Sequence, residues 1–269
     1  MRTADGYIPC SARGIFRKQD VTPLVGDEVI IRDSVIHVIK PRKNELRRPA
    51  LANVDQVIIT QAAAQPTFLA GLLDLNLLLA EHAQVTPIIC INKYDLHRNG
   101  PEPWLLYEAA GYPILRVSAD ENTGLDELRA LMYGKISVFA GPSGVGKSSL
   151  FNRIIPCAQM ETGAISTKGG RGKHTTRHAE ILPLGKSPND GYLADTPGFS
   201  RLDTGDILPH QMAALFPEFR PYLGLCRFTD CLHIKEVGCA VKNAVGDTIH
   251  PSRHESYTKM ARGEFAPKR

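Results

Sequence analysis

Gly141-Pro142-Ser143-Gly144-Val145-Gly146-Lys147-Ser148 has the residue types and spacing of a phosphate cradle. Gly141, Gly144 and Gly146 let backbone N–H groups of the run, from Ser143 and Val145 on to Ser149, turn inward around an anion. The Lys147 ammonium can reach the β- and γ-phosphates of a nucleotide, and the Ser148 hydroxyl can ligate Mg²⁺. A helix starting here would add its positive end.

Asn92-Lys93-Tyr94-Asp95 follows an apolar run at 88–91, so it sits at a strand end, where open α/β sheets bind ligands. A fixed carboxylate at Asp95 can accept from guanine's N1–H and exocyclic amine together, a pair that adenine lacks. Lys93 would lie along the base, Asn92 would tie its loop to the phosphate cradle, and Ser118-Ala119 would offer an N–H to the guanine oxygen. Asp195-Thr196-Pro197-Gly198 ends a further apolar run; Asp195 suits Mg²⁺ through water, and the Gly198 N–H suits the γ-phosphate. The basic, glycine-rich segment 170–177 has the character of a switch loop. Of its two threonines, Thr176, directly before Arg177, is the preferred second Mg²⁺ ligand over Thr175. Phe199 occupies the place where Ras-like enzymes carry a water-orienting glutamine, so any unaided hydrolysis is expected to be slow. His174 is the candidate to position the water, with contact to RNA phosphates as its alternative role.

Cys10, Cys90 and Cys157 are scattered and read as packing residues, whereas Cys226, Cys231 and Cys239 enclose His233 in the pattern C-x₄-C-x-H-x₅-C. A tetrahedral Zn²⁺ takes such a set with no position left open, so the ion, one per chain, would be structural. Chance clustering is the alternative, since this is not a standard finger spacing. The uneven usage suits a reducing compartment better than a disulfide framework. Trp104 sits in a helical apolar pattern and reads as core.

Positioning these loops takes a sheet. Strand candidates at 57–60, 87–91, 114–117, 136–140 and 192–194 alternate with helix candidates at 72–83, 104–110, 125–132 and through 151. That alternation predicts an α/β domain with a mostly parallel sheet over residues 51–205. Residues 1–50 read as short, glycine-punctuated strands at 6–8, 14–16, 25–27, 29–31 and 35–39, with a basic linker over 41–49. Residues 206–269 read as short helices around the Cys/His cluster. A composition of 43% hydrophobic and 22% charged residues excludes disordered, collagenous and low-complexity classes. No run of about 18 apolar residues exists and the start lacks a signal-peptide pattern, so a cytoplasmic chain with no membrane partner is expected. Net charge is +4 over residues 1–50, −2 over 51–205 and +2 over 206–269. Basic flanks, with Lys168, Arg171, Lys173 and Arg177 between them, suit a phosphate-backbone partner or a solvated surface.

The order of the motifs is unusual: the base-reading loop precedes the phosphate cradle, as if the sheet were entered at a different strand. In such a circular permutation, the segment after Gly198 leads straight into the Cys/His tail. With this order, the runs Thr22-Pro23-Leu24-Val25-Gly26-Asp27, Pro41-Arg42-Lys43-Asn44-Glu45-Leu46 and Asn53-Val54-Asp55-Gln56, and the Cys/His set, the chain resembles the RsgA (YjeQ) family of circularly permuted GTPases over nearly its whole length. The resemblance implies an OB-like β-barrel, a circularly permuted P-loop GTPase domain and a C-terminal helical zinc-binding domain. It implies GTP with Mg²⁺, GDP as product, Zn²⁺ in the tail, and the small ribosomal subunit with its rRNA as partner. Hydrolysis would be stimulated by that subunit during its late maturation, with GTP favouring docking and hydrolysis favouring release. Family members would have one more strand ahead of residues 2–10, so an incomplete barrel is expected, and the chain is expected to be a monomer. Two rivals stand on the residues alone: an adenine-nucleotide enzyme in which Asn92 to Asp95 match by accident, and an RNA-binding protein that uses GTP as a structural ligand. His174→Ala is expected to keep GTP affinity and lose subunit-stimulated turnover, measured as kcat and KM with and without small subunits; undiminished stimulation would remove His174 from catalysis.

Overall fold

The computed structural model describes residues 1–3, 6–18, 21–47, 50–155, 180–195 and 207–264. The N-terminal, OB-like module comprises β1 (Arg2–Thr3), β2 (Gly6–Tyr7), β3 (Ser11–Ala12), α1 (Ile15–Lys18), β4 (Val29–Arg32), β5 (Val35–Ile39), β6 (Glu45–Arg47) and β7 (Ala50–Ala52). β5 lies between β3 and β4, while β1–β2 and β6–β7 form separate pairs.

Three expectations fail here, one of them at 25–27, read as a strand, where only an isolated Val25–Leu51 bridge and a turn form. Residues 14–16, read as extended, enter α1: the Phe16 N–H bonds to the Arg13 carbonyl, Val21 N–H bonds back to Phe16, and the Phe16 ring is buried. These local bonds outweigh the strand tendency of two apolar residues. Of residues 41–49, read as a linker, the described residues 41–47 form a braced connection ending in β6. Arg42 grips both oxygens of Asp27 (2.7 and 2.9 Å) and reaches Glu45 (2.6 Å), and Lys43 pairs with Asp55. Leu46 and Leu51 are buried in the same core as Val54 and Val57. Of the opposite charges that satisfy these cations, Glu45 lies within the run but Asp27 and Asp55 are 15 and 12 residues from their partners, so the local run resembled a solvated linker.

The central sheet is built from β8 (Gln56–Ala62), β9 (Thr86–Asn92), β10 (Ile114–Arg116), β11 (Ile136–Ala140), β12 (Glu180–Pro183) and β13 (Tyr192–Asp195), in the order β10-β9-β8-β11-β13-β12. Only β12 runs antiparallel to its neighbour. Helices α2 (Ala70–His82) and α3 (Leu105–Ala109) belong to a core with Val57, Ile59, Ile89 and Val138. Helices α4 (Leu125–Met132) and α5 (Lys147–Ile154) belong to a second core with Ile58, Cys90, Leu115 and Phe139. Two covered faces explain the nearly continuous apolar strand runs. Trp104 is buried core, as its pattern predicted.

The tail adds α6 (Pro209–Met212), α7 (Ala240–Asn243) and α8 (Pro251–Ala261), with 3₁₀ turns between α6 and α7. Its core joins Met212, Phe216, Phe219 and Tyr257 to Leu75, Leu78 and Leu79 of α2. Helix α2 therefore packs against both the sheet and the tail, which accounts for its lack of a polar face. Arg253 of α8 crosses this seam: it bonds to Asp74 of α2 at 2.6 Å and to Glu218 at 2.6 and 3.3 Å, with its guanidinium over the Phe216 ring. Asp74 and Arg253 are 1% and 2% exposed. Removing one partner of a buried ion pair strands the others without water. Arg253→Ala is expected to lower the unfolding free energy by about 3–5 kcal/mol in urea titrations, whereas loss of the exposed Arg262 side chain changes it by about 0.5 kcal/mol or less.

Candidate functional site

A parallel sheet delivers all its carboxyl ends to one edge, and β9, β10, β11 and β13 here each end in a singled-out segment. After β11 the chain turns tightly. Gly141 has φ 126°, and a Cβ there would collide with the Thr60 carbonyl of β8. Gly146, at φ 92° ahead of α5, faces the Asn92 amide so closely that a Cβ would displace it. Val145 is buried, Ser143 and Gly144 are exposed, and Ser148 and Ser149 begin α5 half-buried. The Lys147 ammonium bonds to the Gly141 and Pro142 carbonyls at 2.8 and 2.6 Å, and burial pulls its pKa below the ordinary lysine value.

Asn92, buried at the end of β9, ties three loops. Its Nδ2 donates to the Val145 carbonyl at 2.8 Å, and its Oδ1 accepts from the Ala119 N–H at 3.2 Å. The Lys93 ammonium bridges the Gly144 and Gln65 carbonyls, each at 2.8 Å. Asp95 lies exposed on the 3₁₀ turn Tyr94–Leu96. Ser118, buried, exchanges backbone bonds with Thr123 and accepts from the Glu121 N–H, closing the loop that presents Ala119. The sequence reading missed Gln65, which lies on the loop after β8 and contributes only a backbone carbonyl, leaving no side-chain signal. Asp195 ends β13. His174, Thr175, Thr176, Gly198 and Phe199 lie outside the described residues, as does the basic segment around them.

The second site is in the tail. One ligand atom each from Cys226, Cys231, His233 and Cys239 lies within 4.8 Å of the others. The Nδ1 of His233 is 3.4 Å from both the Cys226 and Cys239 sulfurs, which are 3.9 Å apart. A tetrahedron of ~2.3 Å zinc–sulfur bonds has edges of roughly 3.8 Å, so the donor set fits zinc in both chemistry and spacing. Backbone N–H groups of Ala240 and Lys242 point at the Cys226 and Cys239 sulfurs and stabilise thiolate charge. Burial lowers the His233 pKa and favours the neutral ring that a metal needs. Glu236 accepts from the N–H groups of Leu232, Ile234 and Lys235, which shapes the loop around His233 and pulls its carboxyl down to about 2. His254 and Tyr257 of α8 bond to the His233 and Leu232 carbonyls at 2.8 and 2.6 Å. These supporting residues carried no sequence signal, because their partners are backbone atoms.

Two family models match this chain: the RsgA N-terminal domain over residues 1–35 and the RsgA GTPase over 39–205. The small ribosomal subunit biogenesis GTPase RsgA of Moorella thermoacetica is 47% identical over 258 residues, covering 92% of this chain and 87% of the relative. That of Alkaliphilus metalliredigens is 44% identical over 261 residues, 93% and 88% of the two chains. Among solved structures, YjeQ from Thermotoga maritima superposes with a TM-score of 0.78 at 35% identity, covering 97% of this chain and 91% of that one. YloQ, described as a circularly permuted GTPase, gives 0.77 at 36% identity, covering 98% and 89%.

Gly146→Ala strains a left-handed position and pushes on Asn92. It is expected to weaken nucleotide binding at least about tenfold by isothermal titration, with the sheet still folded by circular dichroism. In the tail, metal analysis of the purified chain is expected to find one zinc per chain, and Cys239→Ser to reduce that content substantially.

Proposed function

The chain belongs to the RsgA GTPase family, and from that premise we propose that it binds GTP with Mg²⁺ at the carboxyl edge of its sheet and hydrolyses it while serving in late maturation of the small ribosomal subunit. It is a GTP-hydrolysing enzyme. The single observation that carries the site assignment is the Asn92 amide, which joins the phosphate cradle to the base-reading loops within one hydrogen-bonded unit.

In this reading, backbone N–H groups from Ser143 to Ser149, together with Gly141, Gly144, Gly146 and the start of α5, hold the phosphates. Lys147 exchanges its carbonyl contacts for phosphate oxygens; its partial desolvation strengthens that attraction. Ser148, Thr176 and Asp195 serve Mg²⁺, which would neutralise charge developing on the phosphates. Asp95 reads guanine's N1–H and amine, Lys93 lies along the base, Ser118-Ala119 faces the guanine oxygen, and the Gly198 N–H meets the γ-phosphate. His174 positions the attacking water. Zinc on Cys226, Cys231, His233 and Cys239 would fill a closed donor set, so its part is to fix the tail loop and not to touch the nucleotide. The domains divide near the sequence-derived limits 50/51 and 205/206, the first of which falls within β7, so the N-terminal module closes at Ala52. The small ribosomal subunit and its rRNA are the partner, GTP favours docking, and hydrolysis favours release.

Turnover of GTP by the purified chain, with and without small ribosomal subunits and with ATP as control, tests this. Slow basal GTP hydrolysis with stimulation of about tenfold or more, and negligible ATP hydrolysis, is the expected result. Equal use of ATP would overturn the guanine reading, and absent stimulation would overturn the partner.

A further inference from the structure

Tyr94, between Lys93 and Asp95, has no role in the chemistry above, yet its side chain is tied down. Its hydroxyl donates to Glu102 Oε1 at 2.8 Å. The other oxygen of Glu102 accepts from Arg116 Nη2 at 3.4 Å, and Arg116 Nη1 lies 3.6 Å from Glu108. Arg116 is the last residue of β10, two positions before Ser118. The Tyr94 N–H also bonds to the Val117 carbonyl at 3.1 Å. The Tyr94 ring stacks on His97 at 5.4 Å, and both rings meet the edge or face of buried Trp104. The tyrosine bond holds the Glu102 carboxyl below its ordinary pKa, so the carboxylate is charged when it faces Arg116.

Asp95 itself sits exposed on a three-residue turn held by two local backbone bonds, Leu96 to Lys93 and His97 to Tyr94, and by the Tyr94–Val117 bond to the neighbouring loop. Beyond Tyr94, that turn makes no backbone bond to the neighbouring loop among the described residues. The cross-links from Tyr94 to Val117, and through Glu102 to Arg116, add to the Asn92–Ala119 bond in setting the spacing. A rigid purine edge gripped from two loops is bound tightly only when the loops are already spaced for it, since ordering them on binding costs affinity.

We infer that Glu102, acting through Tyr94 and Arg116, is a positioning residue for base selection: it helps set the spacing between the Asp95 carboxylate and the Ser118-Ala119 loop. The inference rests on the guanine reading of those two groups. Glu102 touches no nucleotide atom and moves no proton. Its effect lies in how sharply the site distinguishes guanine from a base lacking the exocyclic amine.

Tyr94→Phe keeps the ring stack and removes the hydroxyl; Glu102→Gln keeps an acceptor and removes the charge facing Arg116. In the full-length protein, dissociation constants for GDP, IDP and ADP would be measured by displacement of a fluorescent GDP analogue, together with GTP kcat and thermal midpoints. Hypoxanthine keeps N1–H and the C6 carbonyl oxygen but lacks the amine, so IDP reports on Asp95 placement. Each variant is expected to bind GDP about 5-fold more weakly, lose less for IDP, and so narrow the GDP-over-IDP preference, with kcat at saturating GTP unchanged. A merely structural role would lower the thermal midpoint and leave that preference intact, and this outcome overturns the inference. A wild-type chain that does not prefer GDP to IDP and ADP overturns the guanine reading itself, whereas wild-type preference retained in both variants overturns only the part given to Glu102.

Discussion

Asn92 spends both ends of its side-chain amide on neighbouring loops, Nδ2 on the Val145 carbonyl and Oδ1 on the Ala119 N–H, and the arrangement of the nucleotide edge depends on it. A parallel sheet guarantees only that the loops leave from one edge; beyond the last ladder bond each is free to wander. A buried amide that can be satisfied only by two particular backbone groups removes that freedom, because any other placement leaves a polar atom dry at a cost of about 1–3 kcal/mol. Gly146 is the necessary counterpart, since a side chain there would occupy the space of the amide. Lys93 repeats the device on the solvent side by bridging the carbonyls of Gly144 and Gln65.

Circular permutation changes what lies next to this edge. In the present order, β13 ends at Asp195 and the next described residue, Ile207, is already buried in the tail core beside α2. That core is shared: Leu75, Leu78 and Leu79 come from the GTPase helix, and Phe216, Phe219 and Tyr257 from the tail. Arg253 fastens the same seam, while its helix also reaches the Cys/His loop through His254 and Tyr257. The Cys/His loop is thus bonded through one helix to the body that carries the nucleotide.

Charge is distributed in two different economies. The cations of the N-terminal flank suggested a polyanionic partner, yet Arg42 and Lys43 are engaged by Asp27, Glu45 and Asp55 and brace the module against the sheet. Their positive charge is largely neutralised within the chain. Arg220, by contrast, pairs with Glu81 while half-exposed and contributes little to stability on its own.

Sequence alone determined the candidate site motifs, the family and most of the sheet. The proposed phosphate cradle, base-reading motif and Cys/His set are short runs whose residue types are those that phosphate, guanine and zinc would demand. Buried parallel strands and their helices announce themselves by long apolar runs; α4 and β11 fall where the pattern placed them. Tertiary structure decided what depends on partners far apart in the chain. It turned an apparent basic linker into an ion-paired brace and bent the apolar residues near Phe16 into a helical turn. It also placed an arginine of the last helix, Arg253, against an aspartate of the second, Asp74, 179 positions earlier. No local pattern encodes such a pair, because either residue in isolation reads as a solvated surface charge, and only packing α2 between the sheet and the tail removes the water that would make it one.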